Sequence, residues 1–118
     1  MKPKKITFRE TQKIDLETKL IHKFPLPTKS MSISYMVVNG RHPQGNNNFA
    51  IENDCTFVIY ITKGNGIIYA GEEKFAVEIG DVIFVPNGNK FAVEGKLEYV
   101  TIDTPSWYPE QSKEIKNC

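Results

Sequence analysis

Gly80-Asp81-Val82-Ile83-Phe84-Val85-Pro86-Asn87-Gly88-Asn89-Lys90-Phe91-Ala92-Val93-Glu94-Gly95 is the stretch whose reading decides the fold. Its apolar run, Val82 through Val85, is rich in β-branched and aromatic residues, and Gly80-Asp81 and Pro86-Asn87-Gly88 close it at either end. Such a pattern reads as strand, turn and strand. Pro86 brings a fixed φ and Gly88 a position free of Cβ, so the backbone itself specifies the turn. A second strand is expected over residues 90–94.

Working outward, the same two-residue grammar recurs. Gly95-Lys96 reads as a turn and residues 97–102 as a strand. Upstream, residues 56–62 form the strongest strand in the chain. Lys63-Gly64-Asn65-Gly66 is read as the turn into a strand over residues 67–70, and Gly71-Glu72-Glu73 as the next turn. Phe75, Val77 and Ile79 then alternate with Ala76 and Glu78. Residues 31–38 alternate serines with larger side chains and also read as a strand. Asn39-Gly40 and residues 41–48, with Pro43 and Gly45, read as a loop. Six or seven short strands with turn residues every 8 to 12 positions specify an all-β sandwich or barrel.

The ends are less patterned. Residues 6–8 suit a short strand, and residues 14–21 suit either a helix or an extended arm. Pro25 and Pro27 forbid a helix through that point. Residues 104–109, with Pro105 and Pro109, read as irregular, and the polar residues beyond as a short helix or a disordered tail.

A chain of 118 residues fills one compact core. Seven Phe, five Tyr and one Trp supply a large apolar payload, so neither disulfides nor structural zinc is needed. The net charge of +1 speaks against nucleic acid or an anionic membrane as partner. Residues 1–30 carry eight Lys or Arg against three acids, but these are scattered as on a solvated arm. Cys55 and Cys118 make no disulfide framework, and no apolar stretch approaches a membrane span, so a reducing, cytoplasmic setting is expected.

From Gly64 to Glu94 the chain resembles the cupins, small double-stranded β-helix (jelly-roll) barrels. Their second motif runs Gly, five residues, Pro, one residue, Gly, two residues, His, three residues, Asn. Gly80, Pro86 and Gly88 match it in register, while Phe91 stands at the His position and Gly95 at the Asn position. Their first motif, His-x-His, then Glu, then Gly, is matched by Gly64. Phe57 stands where the Glu belongs, and Ile51 with Asn53, or Ala50 with Glu52, where the histidines belong. The resemblance covers residues 31–111 and implies a jelly-roll barrel. Residues 1–30 are then an N-terminal arm of the same domain and residues 112–118 a polar tail. It also implies a homodimer, as do exposed strand edges.

Cupin metal sites use three imidazoles and a carboxylate that point into the barrel. Phenylalanine has no lone pair to offer, so no metal and no cofactor is expected. His42, Glu52, Asp54 and Cys55 are donors near one strand, but their spacing fits no known ligand set.

Phe57, Phe75, Phe84 and Phe91 read as inward core residues, with Phe57 and Phe91 also able to line a cavity where the metal site would be. The expected ligand-binding residues are Tyr35, Arg41, Phe57, Ile59, Phe91 and Tyr99, for a small sugar or carboxylate. His42, after a strand and before Pro43, is the candidate catalytic base, a role that the resemblance implies because metal-free epimerases of the cupin superfamily use a His paired with a carboxylate. Three functions follow: a metal-free binder of a small organic ligand; a metal-independent sugar isomerase or epimerase, with His42 as base and a Tyr as acid; or a non-catalytic dimeric interaction domain. Convergent titratable groups in the barrel would favour the enzyme, and a sealed interior would leave only the third.

Overall fold

The computed structural model of the chain describes residues 1–116, so Cys118 lies outside the described residues. Nine antiparallel strands follow one another: β1 (Gln12–Leu16), β2 (Lys19–Lys23), β3 (Ser32–His42), β4 (Asn48–Glu52), β5 (Thr56–Ala70), β6 (Glu73–Glu78), β7 (Val82–Val85), β8 (Lys90–Thr104) and β9 (Ser112–Lys116). Single 3₁₀ turns occupy Phe8–Glu10 and Pro109–Gln111. This is the all-β barrel expected. Among the described residues no helix is long and apolar enough to cross a membrane.

The frame is β3–β8–β5. Strand β8 pairs with β3 on one side and along its whole length with β5 on the other, while β4 meets its first residues. The hairpin β1–β2 extends the sheet from β3, β7 and β6 cover successive halves of β5, and β9 pairs with β4. The register places Met36, Tyr99 and Ile61 in one inward row, and Ser34, Thr101 and Ile59 in the next. Both rows are buried, as the two-residue alternation of a half-buried sheet requires.

Two groups of turns dissolve into strand. The glycines at 64, 66 and 95 do not end strands but lie inside β5 and β8, where the paired strands approach most closely. A Cβ on Gly64 would meet the carbonyl oxygen of Lys96 at 2.2 Å, and one on Gly66 that of Glu94 at 2.3 Å. Glycine here permits backbone contact rather than a change of direction. Likewise Gly40, expected in a loop, pairs with Gly95 within β3.

Three further expectations are corrected. Phe84 is 64% exposed, because Ile83 and Val85 hold the inward positions of β7, and Phe75 is 38% exposed although it shares the parity of buried Val77 on β6. Residues 14–21, ambiguous in sequence, are the β1–β2 hairpin. Residues 112–116, expected as a helix or disordered, form β9. Buried Gln111 anchors that tail. Its Oε1 accepts from the amides of Asp54 (3.1 Å) and Cys55 (3.2 Å), and its Nε2 donates to Glu52.

Candidate functional site

Inside the curl of strands lies a cavity of about 520 Å³. Strands β1, β2, β3 and β8 supply most of its wall, with β4, β5, Trp107 and Ser112 of β9 completing it. Gln12 and Leu16 line it yet are exposed, so the cavity reaches solvent along β1. Much of the wall is apolar: Ile14, Ile21, Met36, Ile59, Phe57 and Phe91. The rings of Phe57 and Phe91 meet edge to face with centroids 4.8 Å apart.

Into this apolar space project Lys19, His42, Glu52 and Asp103. Lys19 comes from β2, on the inward parity shared with Ile21 and Lys23. Lys19 is partly buried in the cavity wall, and this desolvation lowers its pKa to about 8 even though the charges of Glu52 and Asp103 pull it upward. It forms no ion pair among the described residues. Burial, and then the charge of Lys19, lower His42 to about 4, so its imidazole is neutral across the neutral range. Burial and the charge of Glu52 raise Asp103 to about 6, against the opposing influence of Lys19 and the 3.4 Å hydrogen bond from Ser32. Glu52 accepts from Gln111 and, at 3.0 Å, from the Ser112 hydroxyl. Burial raises the Tyr99 phenol well above its ordinary value, leaving it a donor. Environments that push neighbouring pKa values apart in this way are those in which one group can take a proton while another gives one.

Of the residues expected from sequence, His42, Phe57, Ile59, Phe91 and Tyr99 line the cavity. Tyr35 and Arg41 do not. Tyr35 lies on the opposite parity of β3, so its hydroxyl points outward and donates to Glu98 at 2.5 Å. Arg41 ties down the following loop, donating to the carbonyls of Gly45 and Asn48 (both 2.8 Å) and pairing with Glu94 at 3.2 Å. Its guanidinium also lies 4.9 Å from the Tyr69 ring centroid. Lys19, Lys23, Ser34, Thr101 and Asp103 enter the site without a sequence signal that singles them out for it. Asp103 and Thr101 were within reach, since both continue the inward parity of Tyr99. Lys19 had no such signal, because its strand was not recognised.

The donor set of a cupin metal centre is not reproduced. Two of its positions are phenylalanines facing the cavity, and no three His, Cys, Asp or Glu among the described residues come together to hold an ion. Cys55 is no alternative nucleophile: it is buried, donates to the Pro105 carbonyl at 3.3 Å, and its thiol is pushed up to about 12.

No protein-family model matches the sequence, and a search of curated proteins finds no relative. The fold, by contrast, has many counterparts among solved structures. A histidine-to-glutamine variant of Streptomyces Pac13 with uridine is 16% identical, with a TM-score of 0.86 over 98% of this chain and 92% of that one. Pac13 is described as a unique nucleoside dehydratase. KdgF from a Halomonas species is 13% identical, with a TM-score of 0.69 over 88% of this chain and 94% of that one. An RmlC-like cupin from Shewanella frigidimarina is 14% identical, with a TM-score of 0.66 over 82% and 86%. The chain therefore has the cupin fold, with the cupin metal positions replaced.

Proposed function

We propose that this barrel binds a small hydroxylated molecule of nucleoside or sugar size and removes a proton from it, eliminating water. One observation carries the reading: a neutral histidine, an unpaired ammonium and a carboxyl with a raised pKa converge on one largely apolar cavity. The cavity volume of about 520 Å³ is within the range of small-molecule sites. The likeness of almost the whole chain to a nucleoside dehydratase seen with uridine favours dehydration and a nucleoside-type substrate.

The chemistry follows from the groups. A C–H bond becomes acidic enough for an imidazole when it lies next to a carbonyl. Neutral His42 takes that proton, and the electron pair moves onto the carbonyl oxygen as an enolate. The Lys19 ammonium, in an apolar wall, stabilises this negative charge far more than it would in water. As the enolate re-forms the carbonyl, a C=C bond forms and the C–O bond to the neighbouring hydroxyl breaks. Protonated Asp103 supplies the proton with which the hydroxyl departs as water. The His42 proton then returns to solvent and Asp103 is reprotonated. No step passes through a metal, since the residues at the cupin metal positions do not fit one.

A related reading, isomerisation, is favoured by Tyr99, whose protonated phenol in the same cavity can return the proton at an adjacent carbon. The test is exchange in D₂O, followed by NMR, with a panel of sugars and nucleosides carrying a carbonyl beside a hydroxylated carbon. Wild-type protein is expected to incorporate deuterium α to the carbonyl and release water, with His42→Gln reducing exchange by 10²-fold or more. Exchange that survives His42→Gln unchanged would remove His42 as the base. Binding without exchange would leave a ligand-binding protein with no turnover.

A further inference from the structure

The cavity contains a polar row that the proton transfer does not use. Thr101 is 5% exposed, and its hydroxyl oxygen is shielded from solvent with no hydrogen-bond partner among the described residues. Its cross-strand neighbour on β3 is Ser34, 6% exposed and lining the same cavity. Ser34 in turn faces Lys23 on β2. The Lys23 ammonium lies 3.5 Å from the Trp107 carbonyl oxygen and 5.6 Å from the centre of its indole. Two hydroxyls and an ammonium thus cross three adjacent strands at neighbouring positions, about 5 Å apart from Cβ to Cβ. Beyond Thr101 the row ends in apolar Ile59.

A buried hydroxyl without a partner is costly, and valine would fill the same space without that cost. This oxygen is closed off from the cavity as well, and its presence is explained when a rotation about the Thr101 Cα–Cβ bond turns it to a partner that arrives with the ligand. Because a hydroxyl both donates and accepts, two side by side suit a pair of ligand hydroxyls on adjacent carbons. We propose that Thr101, Ser34 and Lys23 form a subsite for a vicinal diol, the ring diol of a ribonucleoside or ribose-type sugar, with Trp107 beside it. The inference rests on the reading that the cavity takes a hydroxylated small molecule, but not on the proton transfer.

The test uses Thr101→Val, which keeps shape and removes the hydroxyl, with Ser34→Ala as a second variant. Binding of uridine and 2′-deoxyuridine is measured by calorimetry alongside thermal melting of the ligand-free proteins. Wild type is expected to prefer uridine at least tenfold, a preference that falls to within about twofold in Thr101→Val. Ligand-free Thr101→Val is expected to melt a few degrees higher than wild type. A preference unchanged in both variants overturns the subsite while leaving the proton-transfer reading intact. A collapsed preference without deuterium exchange keeps the subsite and removes the catalytic reading. If neither nucleoside binds wild type, melting decides: a higher melting temperature for Thr101→Val supports a hydroxyl kept for a ligand, and an equal or lower one overturns it.

Discussion

Gln111→Leu tests whether the C-terminal strand holds the site together. The side chain is 5% exposed and serves three partners. The amide of Cys55 lies in a buried residue, so losing its acceptor costs about 1–3 kcal/mol. The amide of Asp54, an exposed residue, can turn to water and costs little. Glu52 keeps its bond from Ser112 but loses the one from Gln111; a hydrogen bond to a charged group is worth about 1.5–3 kcal/mol. Leucine recovers part of this by burying apolar surface, leaving a net loss of about 3 kcal/mol. With an unfolding entropy of about 2 cal/mol/K per residue, that corresponds to a fall in Tm of about 12 °C, read by circular dichroism. Gln111→Glu separates the causes. It keeps an acceptor for the amides but sets a second carboxylate against Glu52, so its deficit should shrink on acidification, whereas that of Gln111→Leu should not. A Gln111→Leu protein melting within 3 °C of wild type at neutral pH would refute the account of Gln111 as the link.

The remaining predictions concern titration, backbone contact and metal. Deuterium exchange should persist from about pH 4 to about pH 8, bounded by protonation of His42 and loss of the Lys19 charge, whereas water release should decline above about 6 as Asp103 ionises. Exchange and elimination with identical pH profiles would contradict these roles. For stability the signs oppose. Below 6.5 the unfolded chain protonates His42 before the folded one, so stability is lost from 6.5 down to about 4, while Asp103, raised from 3.8 to about 6, adds stability over much of that interval. His42→Asn should expose the second effect, with Tm rising as pH falls from 6 toward 4; a flat profile would refute it. Gly66→Ala places a Cβ 2.3 Å from a carbonyl oxygen and should cost about 3 kcal/mol or more, whereas Gly80→Ala has open space at φ +92° and should cost about 1–2 kcal/mol, as compared by urea unfolding. Protein purified without added metal should contain no stoichiometric Fe, Mn, Ni or Zn by elemental analysis; finding one would overturn the reading of Phe57 and Phe91.

What was legible follows the physics of the signal. Pro86 and Gly88 act locally, through φ and the absence of Cβ, and the turn they specify is where they place it. Gly64, Gly66 and Gly95 carry the same letter for a non-local reason, the approach of one strand to another, which a linear reading mistakes for turns. The outward Phe84 shows the limit of composition, since an aromatic side chain reveals nothing of its face until Ile83 and Val85 fix the parity. In the site, Phe57 and Phe91 are reached because they stand at ligand positions of the cupin motifs that the chain resembles, while Ile59 and Tyr99 lie on strands that the sequence makes plain. Arg41 and Tyr35 were drawn in by chemistry, yet one anchors a loop and the other faces outward. Lys19 was hidden because a lysine beside apolar residues on an unrecognised hairpin is indistinguishable from a solvated arm.

That hairpin has a consequence for how such a protein can change. Among the described residues strand β1 pairs only with β2, and the two bring Lys19, Lys23 and a third of the cavity lining without touching the β5–β8 register. The barrel frame and this part of the cavity wall are separate inheritable parts. Substitutions over some dozen residues can therefore reshape the cavity and its charge while the scaffold, with its intolerant glycines, stays as it is.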